Sequence, residues 1–301
     1  MRNNSIAVFV GAIAATIVST YASATTLTNL TIRSEKMGRD VPVSIVLPDG
    51  YDSASETRWP SVYVLHGAKG SGKAKASDAT LGRLVDRYGF IAVFPDGGRT
   101  SWWIDSPIDP TYQYETFVVG EVIPYVDANY RTVADRSKRA IMGGSMGGHG
   151  ACYIGMRHKD LFGAVGNIYG GVDLVPWSWS SGWDIDKRLG PRDENIVRWE
   201  EHSVINVAKA LKNGEIELIC VIGTEVFFLG CNRQLHELLS ANGVAHTYVE
   251  VRSRTALSST HGKFYAQGAE ISLRFIYNYF NDGYGHLGDC NITTVKTERR
   301  Y

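Results

Sequence analysis

Residues 139–155, RAIMGGSMGGHGACYIG, place one serine among glycines, between an apolar run and a longer helical pattern. The run RAIMGG is typical of a buried strand, and the segment from Met146 onward is typical of a helix. Ser145 therefore falls at a strand-to-helix turn, inside a G-x-S-x-G pattern in which a strained turn holds a serine hydroxyl outward. Glycines suit such a turn because the backbones around it press together and a Cβ atom would clash. The pattern predicts that Ser145 is a nucleophile.

A serine hydroxyl is a poor nucleophile at neutral pH and needs partner groups. A histidine must take its proton, a carboxylate must orient that histidine, and backbone N–H groups must stabilise the oxyanion. One N–H group is expected from Met146, at the positive end of the predicted helix. The second is expected from the loop after an early strand, where His66-Gly67-Ala68 resembles an HG-type oxyanion loop. Either the N–H of Ala68 or that of Gly67 would be the donor.

Apolar runs alternate with helical patterns through most of the chain. Residues 25–32 and 42–48 alternate between polar and apolar residues, which is typical of antiparallel edge strands. Five later runs are apolar along their length, as expected of strands buried on both faces of a parallel sheet. This alternation predicts an α/β domain with a mostly parallel central sheet and helices on both faces. The buried runs are residues 61–67, 90–97, 139–144, 163–171 and 216–223, and the helical patterns are residues 76–89, 114–130, the run after Ser145 and residues 232–243.

The first residues have the features of an export signal. Arg2 gives a positive start, residues 6–18 are almost wholly apolar, and small residues follow up to Ala24. The apolar run is shorter than the ~20 residues that span a bilayer, which disfavours a membrane anchor. We therefore predict a signal peptide over residues 1–24, a single domain over residues 25–301, and a secreted or periplasmic protein without a membrane anchor.

Other classes of function have little support in the sequence. Lys and Arg total 31, as do Asp and Glu, so the overall charge does not indicate a nucleic-acid partner. The cysteine spacing resembles no zinc pattern, so no metal site is expected. Residues 67–73, GAKGSGK, match the phosphate-binding pattern G-x-x-x-x-G-K, but position 74 is alanine where a hydroxyl must bind Mg²⁺. An exported protein also meets little ATP, so nucleotide binding is the weaker interpretation.

Three runs of the sequence carry a resemblance to a known family. PDGGRTSWWIDSPIDP, YETFVVGEVIPYVDANY and RSKRAIMGGSMGGHGA follow one another as in the esterase D-like family of α/β-hydrolases, which includes secreted tributyrin, feruloyl and acetylxylan esterases. The similarity extends over residues 41–280. It implies the α/β-hydrolase fold and a serine carboxylesterase with a Ser-His-acid triad and no metal or organic cofactor. It also implies Ser145 as the nucleophile, with Ala68 and Met146 as the oxyanion-hole donors.

His261 is the predicted catalytic base. It follows the last predicted strand, residues 246–251, and precedes the terminal helical pattern, where α/β-hydrolases place this residue. Family members usually show a Pro-Gly-Gly-His-like turn soon after that strand, whereas the connection here, RSRTALSSTHGKFY, is longer and lacks the proline. An ungapped comparison would put Thr255 at the position of the base. His261 is favoured because Tyr265 and the helix beyond it keep the family's spacing.

The acid of the triad departs from the family pattern. After the strand IELICVIG the family typically has Gly-x-x-Asp-Phe, and this chain has Gly-Thr-Glu-Val-Phe, so Val226 stands where the aspartate is expected. A valine can neither orient an imidazole nor stabilise its charged form. Glu225 is the first candidate to replace the aspartate, and Asp173 is the second. The third alternative is a broken triad, and hence a weakened enzyme or a non-catalytic binding protein.

Tryptophans are concentrated in the segments that are expected to surround the site. Trp102 and Trp103 follow one predicted strand, and Trp177, Trp179 and Trp183 lie near the start of residues 175–203. These residues break the strand-helix alternation and are interpreted as an insertion over one face. Such side chains suit flat or carbohydrate-linked groups by stacking, although packing under a loop explains them equally well. The expected partner is a small-molecule or carbohydrate-linked ester.

Overall fold

The computed structural model describes residues 26–51, 56–177, 181–252, 260–288 and 294–300. The export signal predicted over residues 1–24 lies outside these ranges. Nine strands form one sheet in the order β1-β2-β4-β3-β5-β6-β7-β8-β9. They are β1 (Thr26–Ser34), β2 (Arg39–Leu47), β3 (Ser61–Leu65), β4 (Ile91–Pro95), β5 (Arg139–Gly144), β6 (Ala164–Ile168), β7 (Glu217–Gly223), β8 (His246–Val251) and β9 (Thr294–Arg300).

The centre of the sheet is parallel, as the sequence predicts. Strands β4, β3, β5, β6, β7 and β8 run in one direction. Strands β3 to β6 are buried along their whole length, which is why their sequences are continuously apolar. Strands β1 and β2 are antiparallel and complete one edge of the sheet. The prediction of two alternating edge strands followed by buried parallel strands is confirmed.

The other edge of the sheet carries a strand that the sequence did not predict. Strand β9 pairs antiparallel with β8, with an irregularity between Glu250 and Val251. Its sequence, TVKTERR, has no apolar run and several charged residues. Charged residues are common on edge strands because they oppose pairing with another chain. The same composition removes the apolar signal by which the other strands are recognised.

Helices lie on both faces of the sheet. The first helices are α1 (Gly72–Ala76) and α2 (Ala79–Tyr88), and α3 (Tyr114–Thr116) continues through a π-helical segment, Phe117–Val122, into α4 (Ile123–Asn129). The helix predicted over residues 114–130 is thus confirmed for residues 114–129. The remaining helices are α5 (Met146–Arg157), α6 (Ile185–Leu189), α7 (Ile196–Glu201), α8 (Val204–Ala208), α9 (Leu229–Ala241) and α10 (Thr260–Asp282).

Helices α5 and α10 pack on opposite faces of the sheet. A Cβ atom at Gly155 of α5 would overlap the side chain of Val165, whereas a Cβ atom at Gly166 would lie 3.4 Å from the Cβ of Ser272 in α10. Val165 and Gly166 are consecutive in β6 and therefore point to opposite faces. Helix α8 packs beside α5, and α2 packs beside α10. The predicted arrangement of helices on both faces is confirmed.

The region 175–203 contains short helical segments instead of strands. Among the described residues it holds three single turns of 3₁₀-helix together with α6 and α7. Within the described ranges, no helix is both long enough and apolar enough to cross a membrane.

Candidate active site

Ser145 sits between β5 and α5 in a strained backbone conformation. Its φ is 58° and its ψ is −121°, a region that residues with a Cβ atom rarely adopt and that is held only where the surroundings fix it. Residues 139–156 are otherwise buried, and Ser145 alone in this run is partly exposed. The strained turn therefore brings the hydroxyl to the surface at the carboxyl end of a central strand, as the G-x-S-x-G pattern predicts.

Backbone contacts hold this turn in place. The Ser145 N–H donates to the Ile168 carbonyl oxygen at 3.0 Å, and the Ser145 carbonyl oxygen accepts from the N–H groups of Gly148 and His149, both at 3.0 Å. Gly147 packs directly on the end of β3. A Cβ atom there would overlap the carbonyl oxygen of Leu65, so only glycine fits at this position.

Gly147→Ala is therefore expected to destabilise the protein by about 3 kcal/mol or more, because rigid backbone would have to move. Thermal and urea unfolding measure the effect. Gly230→Ala is the matched control, since Gly230 lies in α9 with no atom near the position of an added Cβ. Alanine should stabilise a helix there by up to about 1 kcal/mol. Equal unfolding midpoints for Gly147→Ala and the wild type would contradict the close packing of the turn.

The loop after β3 approaches Ser145 from the other side. A Cβ atom at Gly67 would lie 3.4 Å from the Ser145 Cβ and 3.9 Å from its Oγ. His66 is buried, and its Nε2 accepts from the Gly97 N–H at 2.8 Å, so its Nδ1 carries the proton and donates to the Gly67 carbonyl oxygen at 2.8 Å. Burial lowers the pKa of His66, which agrees with a neutral imidazole. His66 therefore fixes the loop and is not a catalytic base.

Trp103 also fixes this loop, and its neighbour Trp102 has a similar backbone conformation. Both are buried, with φ of 55° and 60°, and the Trp103 indole N–H donates to the His66 carbonyl oxygen at 3.1 Å. Non-glycine residues at positive φ are uncommon. The stacking role considered for these two tryptophans is wrong, since their rings pack in the core and leave no face for a ligand. Nothing in the sequence pattern signals their left-handed backbone.

His149, one turn into α5, connects the turn at Ser145 to two further segments. Its Nδ1 and Nε2 atoms each lie 2.9 Å from a carbonyl oxygen, of Trp102 and of His202 respectively. Complete burial lowers the pKa of His149 to about 4, so the ring is neutral at pH 7 and donates to one carbonyl at a time. Its role is structural.

Two backbone N–H groups beside Ser145 are unpaired. Among the residues that the structure describes, neither the Ala68 N–H nor the Met146 N–H donates to an acceptor. Met146 is the first residue of α5, where N–H groups have no partner within the helix and carry partial positive charge. A carbonyl oxygen bound at Ser145 could accept from both groups, which is the chemistry that an acyl-transfer site requires.

The predicted base, His261, lies in the first turn of α10. Its side chain lies outside the described part of the chain, as does Thr255. The residues just after it are described. A Cβ atom at Gly144 would lie 2.7 Å from the ring of Tyr265, one turn beyond His261. The beginning of α10 is therefore close to Ser145, as the sequence order of the triad requires.

Val226, which stands where the resemblance implies an aspartate, lies near the beginning of α10. A Cβ atom at Gly223, the last residue of β7, would lie 2.9 Å from the Val226 Cγ2 and 3.3 Å from the ring of Phe264. Phe264 is three residues beyond His261. Glu225 is exposed on the turn that follows β7. The side chain next to the beginning of α10 is thus aliphatic, and the nearest carboxylate along the chain points into solvent.

Asp173, the second candidate for the acid, lies on the opposite face of the sheet. Its carboxylate accepts from the Val175 N–H at 3.1 Å and from the Ser203 hydroxyl at 3.4 Å. Ser203 immediately precedes α8, which packs beside α5, whereas His261 belongs to α10 on the other face. Burial raises the pKa of Asp173. The structure does not bring Asp173 towards α10.

An aromatic cluster lies beside the loop that carries Ala68. It consists of Trp177, Trp183, Phe227 and Phe228, with the Trp183 and Phe227 rings stacked at 5.6 Å between centroids. The Lys69 ammonium lies 3.4 Å from the position of a Cβ atom at Gly182, next to Trp183. Phe227 is 42% exposed. The cluster therefore offers an aromatic surface near the site, and Trp179 lies outside the described residues.

The described residues contain no group of His, Cys, Asp and Glu side chains that could hold a metal ion. The phosphate-binding pattern of residues 67–73 does not form a long helix with a free N-terminus. It leads into α1, five residues long, and the Ser71 hydroxyl accepts from the Ala74 N–H at that end.

Comparisons with known proteins agree with the fold and identify a family. The family described as "Putative esterase" matches residues 34–267. An esterase of Mycobacterium tuberculosis (strain H37Rv) is 29% identical over 151 residues, which are 47% of this chain and 32% of that protein. An endo-1,4-beta-xylanase/feruloyl esterase of Xylanibacter ruminicola is 29% identical over 154 residues, which are 48% of this chain and 21% of that protein. This chain therefore spans a third or less of the length of these two relatives.

A solved structure of a ferulic acid esterase superposes with a TM-score of 0.71 and 22% identity, covering 85% of this chain and 99% of that chain. This likeness shows the fold, and it confirms the predicted α/β-hydrolase architecture. The family match covers most of the chain, from the end of β1 to α10. The chain belongs to the putative esterase family.

Proposed function

We propose that the chain is a secreted serine carboxylesterase that hydrolyses short-chain acyl esters or cell-wall carbohydrate esters through an acyl-enzyme on Ser145. The observation that carries the proposal is the strained, partly exposed Ser145 between the unpaired N–H groups of Ala68 and Met146. Membership of an esterase family supports the reaction class. Export rests on the sequence of residues 1–24.

The reaction needs only groups of this chain and water. Ser145 Oγ attacks the ester carbonyl carbon while His261 takes the hydroxyl proton, and the N–H groups of Ala68 and Met146 stabilise the oxyanion. Collapse of the tetrahedral intermediate breaks the bond to the alcohol, which leaves with the proton from His261. Water then attacks the acyl-enzyme by the same proton transfer and releases the acid. Glu225, the first candidate for the acid in the sequence, is exposed, and we expect its carboxylate to contribute little to this reaction.

The aromatic cluster supports a flat or carbohydrate-linked substrate. It lies beside the loop that carries Ala68, where the acyl or alcohol part of an ester would extend from Ser145. Two of the similar proteins are named as feruloyl or ferulic acid esterases, which supports esters of aromatic acids among the substrates to be tested.

Phe227→Ala is expected to raise the KM for methyl ferulate by about fivefold, because an exposed ring that stacks on Trp183 would be lost. The kcat/KM for ethyl acetate should change by less than about twofold, since neither part of this ester has a ring that could stack. Val197→Ala removes an apolar side chain from α7 that is 62% exposed, more than Phe227, and serves as the control. An unchanged KM for methyl ferulate would mean that the aromatic cluster does not bind substrate.

A specific observation also favours a second candidate function. Because Val226 stands beside the beginning of α10, the triad lacks a carboxylate there, and a weakened enzyme or a non-catalytic binding protein on the same fold is the alternative. The test is hydrolysis of p-nitrophenyl acetate and butyrate by the wild-type protein. Release of p-nitrophenol that depends on Ser145 supports the esterase. Ester binding without hydrolysis, and unaffected by Ser145→Ala, would support the binding protein.

A further inference from the structure

Lys69 directly follows Ala68, whose N–H group is one of the two unpaired donors beside Ser145. Its side chain is exposed, and its backbone is left-handed, with a φ of 63°. A non-glycine residue keeps such a conformation only where the surrounding structure determines it. Here the Lys69 N–H donates to the Arg99 carbonyl oxygen at 2.7 Å. The point at which the Lys69 side chain leaves the loop is therefore fixed, one residue from a donor for the oxyanion.

The Lys69 side chain extends from this loop towards the aromatic cluster. Its ammonium lies 3.4 Å from the position of a Cβ atom at Gly182. Gly182 precedes Trp183, whose ring stacks on that of Phe227 with 5.6 Å between centroids. The positive charge thus lies between the loop that carries Ala68 and the edge of the cluster. An ester that reaches from Ser145 to the cluster would pass close to it.

Carboxylates in the neighbouring loops are engaged by other groups. Asp184, the residue after Trp183, lies 2.8 Å from the Lys187 ammonium and accepts from the Thr100 hydroxyl at 2.8 Å. Asp96 accepts from a backbone N–H group of its own loop at 2.9 Å. Across the part of the chain that the structure describes, Lys69 forms no ion pair. Its charge is therefore available to a bound ligand.

An aromatic surface with a cation at its edge suits a molecule that joins an apolar face to a carboxylate. The rings stack on the apolar face, and the ammonium donates charge-assisted hydrogen bonds to the carboxylate oxygens. A uronic acid has both parts, because its sugar ring carries a carboxylate. A neutral sugar would make only the first of these contacts.

We propose that Lys69 is a specificity-determining residue, and that the protein prefers esters that carry a carboxylate in their alcohol or acyl part. The proposal deepens the proposed function and rests on it, since it assumes ester hydrolysis at Ser145. Esters of uronic acids have the carboxylate in the alcohol part, and half-esters of dicarboxylic acids have it in the acyl part.

The experiment measures kcat/KM for two matched pairs of esters. O-acetylated galacturonic acid and O-acetylated galactose differ by a carboxylate in the alcohol part, and monoethyl glutarate and ethyl valerate differ by a carboxylate in the acyl part. We expect Lys69→Met to lower kcat/KM by about fivefold for at least one carboxylate ester, which is the effect of one partly exposed ion pair. The neutral ester of that pair should change by less than about twofold. Lys69→Arg keeps the charge and should keep at least about half of the wild-type value.

Lys73→Met is the matched control, because Lys73 is also an exposed lysine and lies four residues further along, in α1. It should leave kcat/KM for all four esters within about twofold of the wild type. Equal losses in Lys69→Met and Lys73→Met would overturn the inference, because that result describes the general charge of the surface. Equal losses for a carboxylate ester and its neutral partner would overturn it as well, because Lys69 would then only support the loop.

Unchanged kinetics of Lys69→Met with both carboxylate esters would also overturn the inference. A loss with only one of them supports it and shows which part of the ester Lys69 contacts. The proposed function fails separately. A wild type that hydrolyses none of the four esters, nor p-nitrophenyl butyrate, in a Ser145-dependent reaction would contradict the esterase itself.

Discussion

Ser145→Ala is expected to lower kcat/KM for p-nitrophenyl butyrate by about 10³-fold or more, because the acyl-enzyme can no longer form. The strained backbone at this position already accommodates a Cβ atom, so alanine should fit without a change of fold. The melting temperature should therefore stay within about 2 °C of the wild type, as for a substitution that leaves the packing unchanged.

Ser137→Ala is the matched control for this experiment. Ser137 is exposed and lies just before β5, at the opposite end of the strand that leads to Ser145. It should retain wild-type kcat/KM. Hydrolysis by Ser145→Ala at more than a tenth of the wild-type rate would mean that another group performs the reaction.

Val226→Asp is expected to raise kcat by about tenfold to a hundredfold, because a carboxylate beside the beginning of α10 would orient and stabilise the charged base. Loss of a triad aspartate lowers kcat by about 10⁴-fold in a serine protease. We expect a smaller gain here, because the side chains around position 226 pack against a valine. The free energy of unfolding should fall by about 1 kcal/mol, because Val226 is partly buried against the core. Steady-state kinetics and thermal unfolding measure both effects.

Two further variants separate the possible acids. Val226→Asn has the shape of the aspartate without its charge, and it should bring no gain in kcat. Glu225→Gln should lower kcat by less than about twofold, because the carboxylate of an exposed residue is strongly hydrated. The reverse pattern, with Glu225→Gln inactive and Val226→Asp unchanged, would show that Glu225 is the acid and that Val226 has no influence on the base.

Most of the fold could be predicted because buried strands and amphipathic helices have distinct periodicities. Strands β3 to β7 are continuous apolar runs, and α2, α9 and α10 follow their predicted segments closely. Strand β9 could not be predicted, because an edge strand needs no apolar face and TVKTERR has none. The π-helical segment within residues 114–130 could not be predicted either, because its amino-acid composition is that of an ordinary α-helix.

The parts of the candidate site that contain glycine-rich turns could be predicted from the sequence. Glycine-rich patterns predict the turn at Ser145 and the loop that carries Ala68, and the structure brings the two together. The backbone conformation of Trp102 and Trp103 could not be predicted, because a left-handed backbone at a non-glycine residue leaves no mark in the sequence. Such conformations are imposed by tertiary packing. The acid cannot be identified from the sequence for the same reason, since only packing shows which side chains lie near α10.

The most direct test of the account is labelling of the purified protein with a fluorophosphonate, followed by peptide mass spectrometry. The account predicts one phosphonyl group per chain, attached to Ser145, and none on Ser145→Ala. It also predicts faster labelling of Val226→Asp than of the wild type. A wild-type protein that stays unlabelled, or one that is labelled at a different residue, would contradict the assignment of Ser145 as the nucleophile of an esterase.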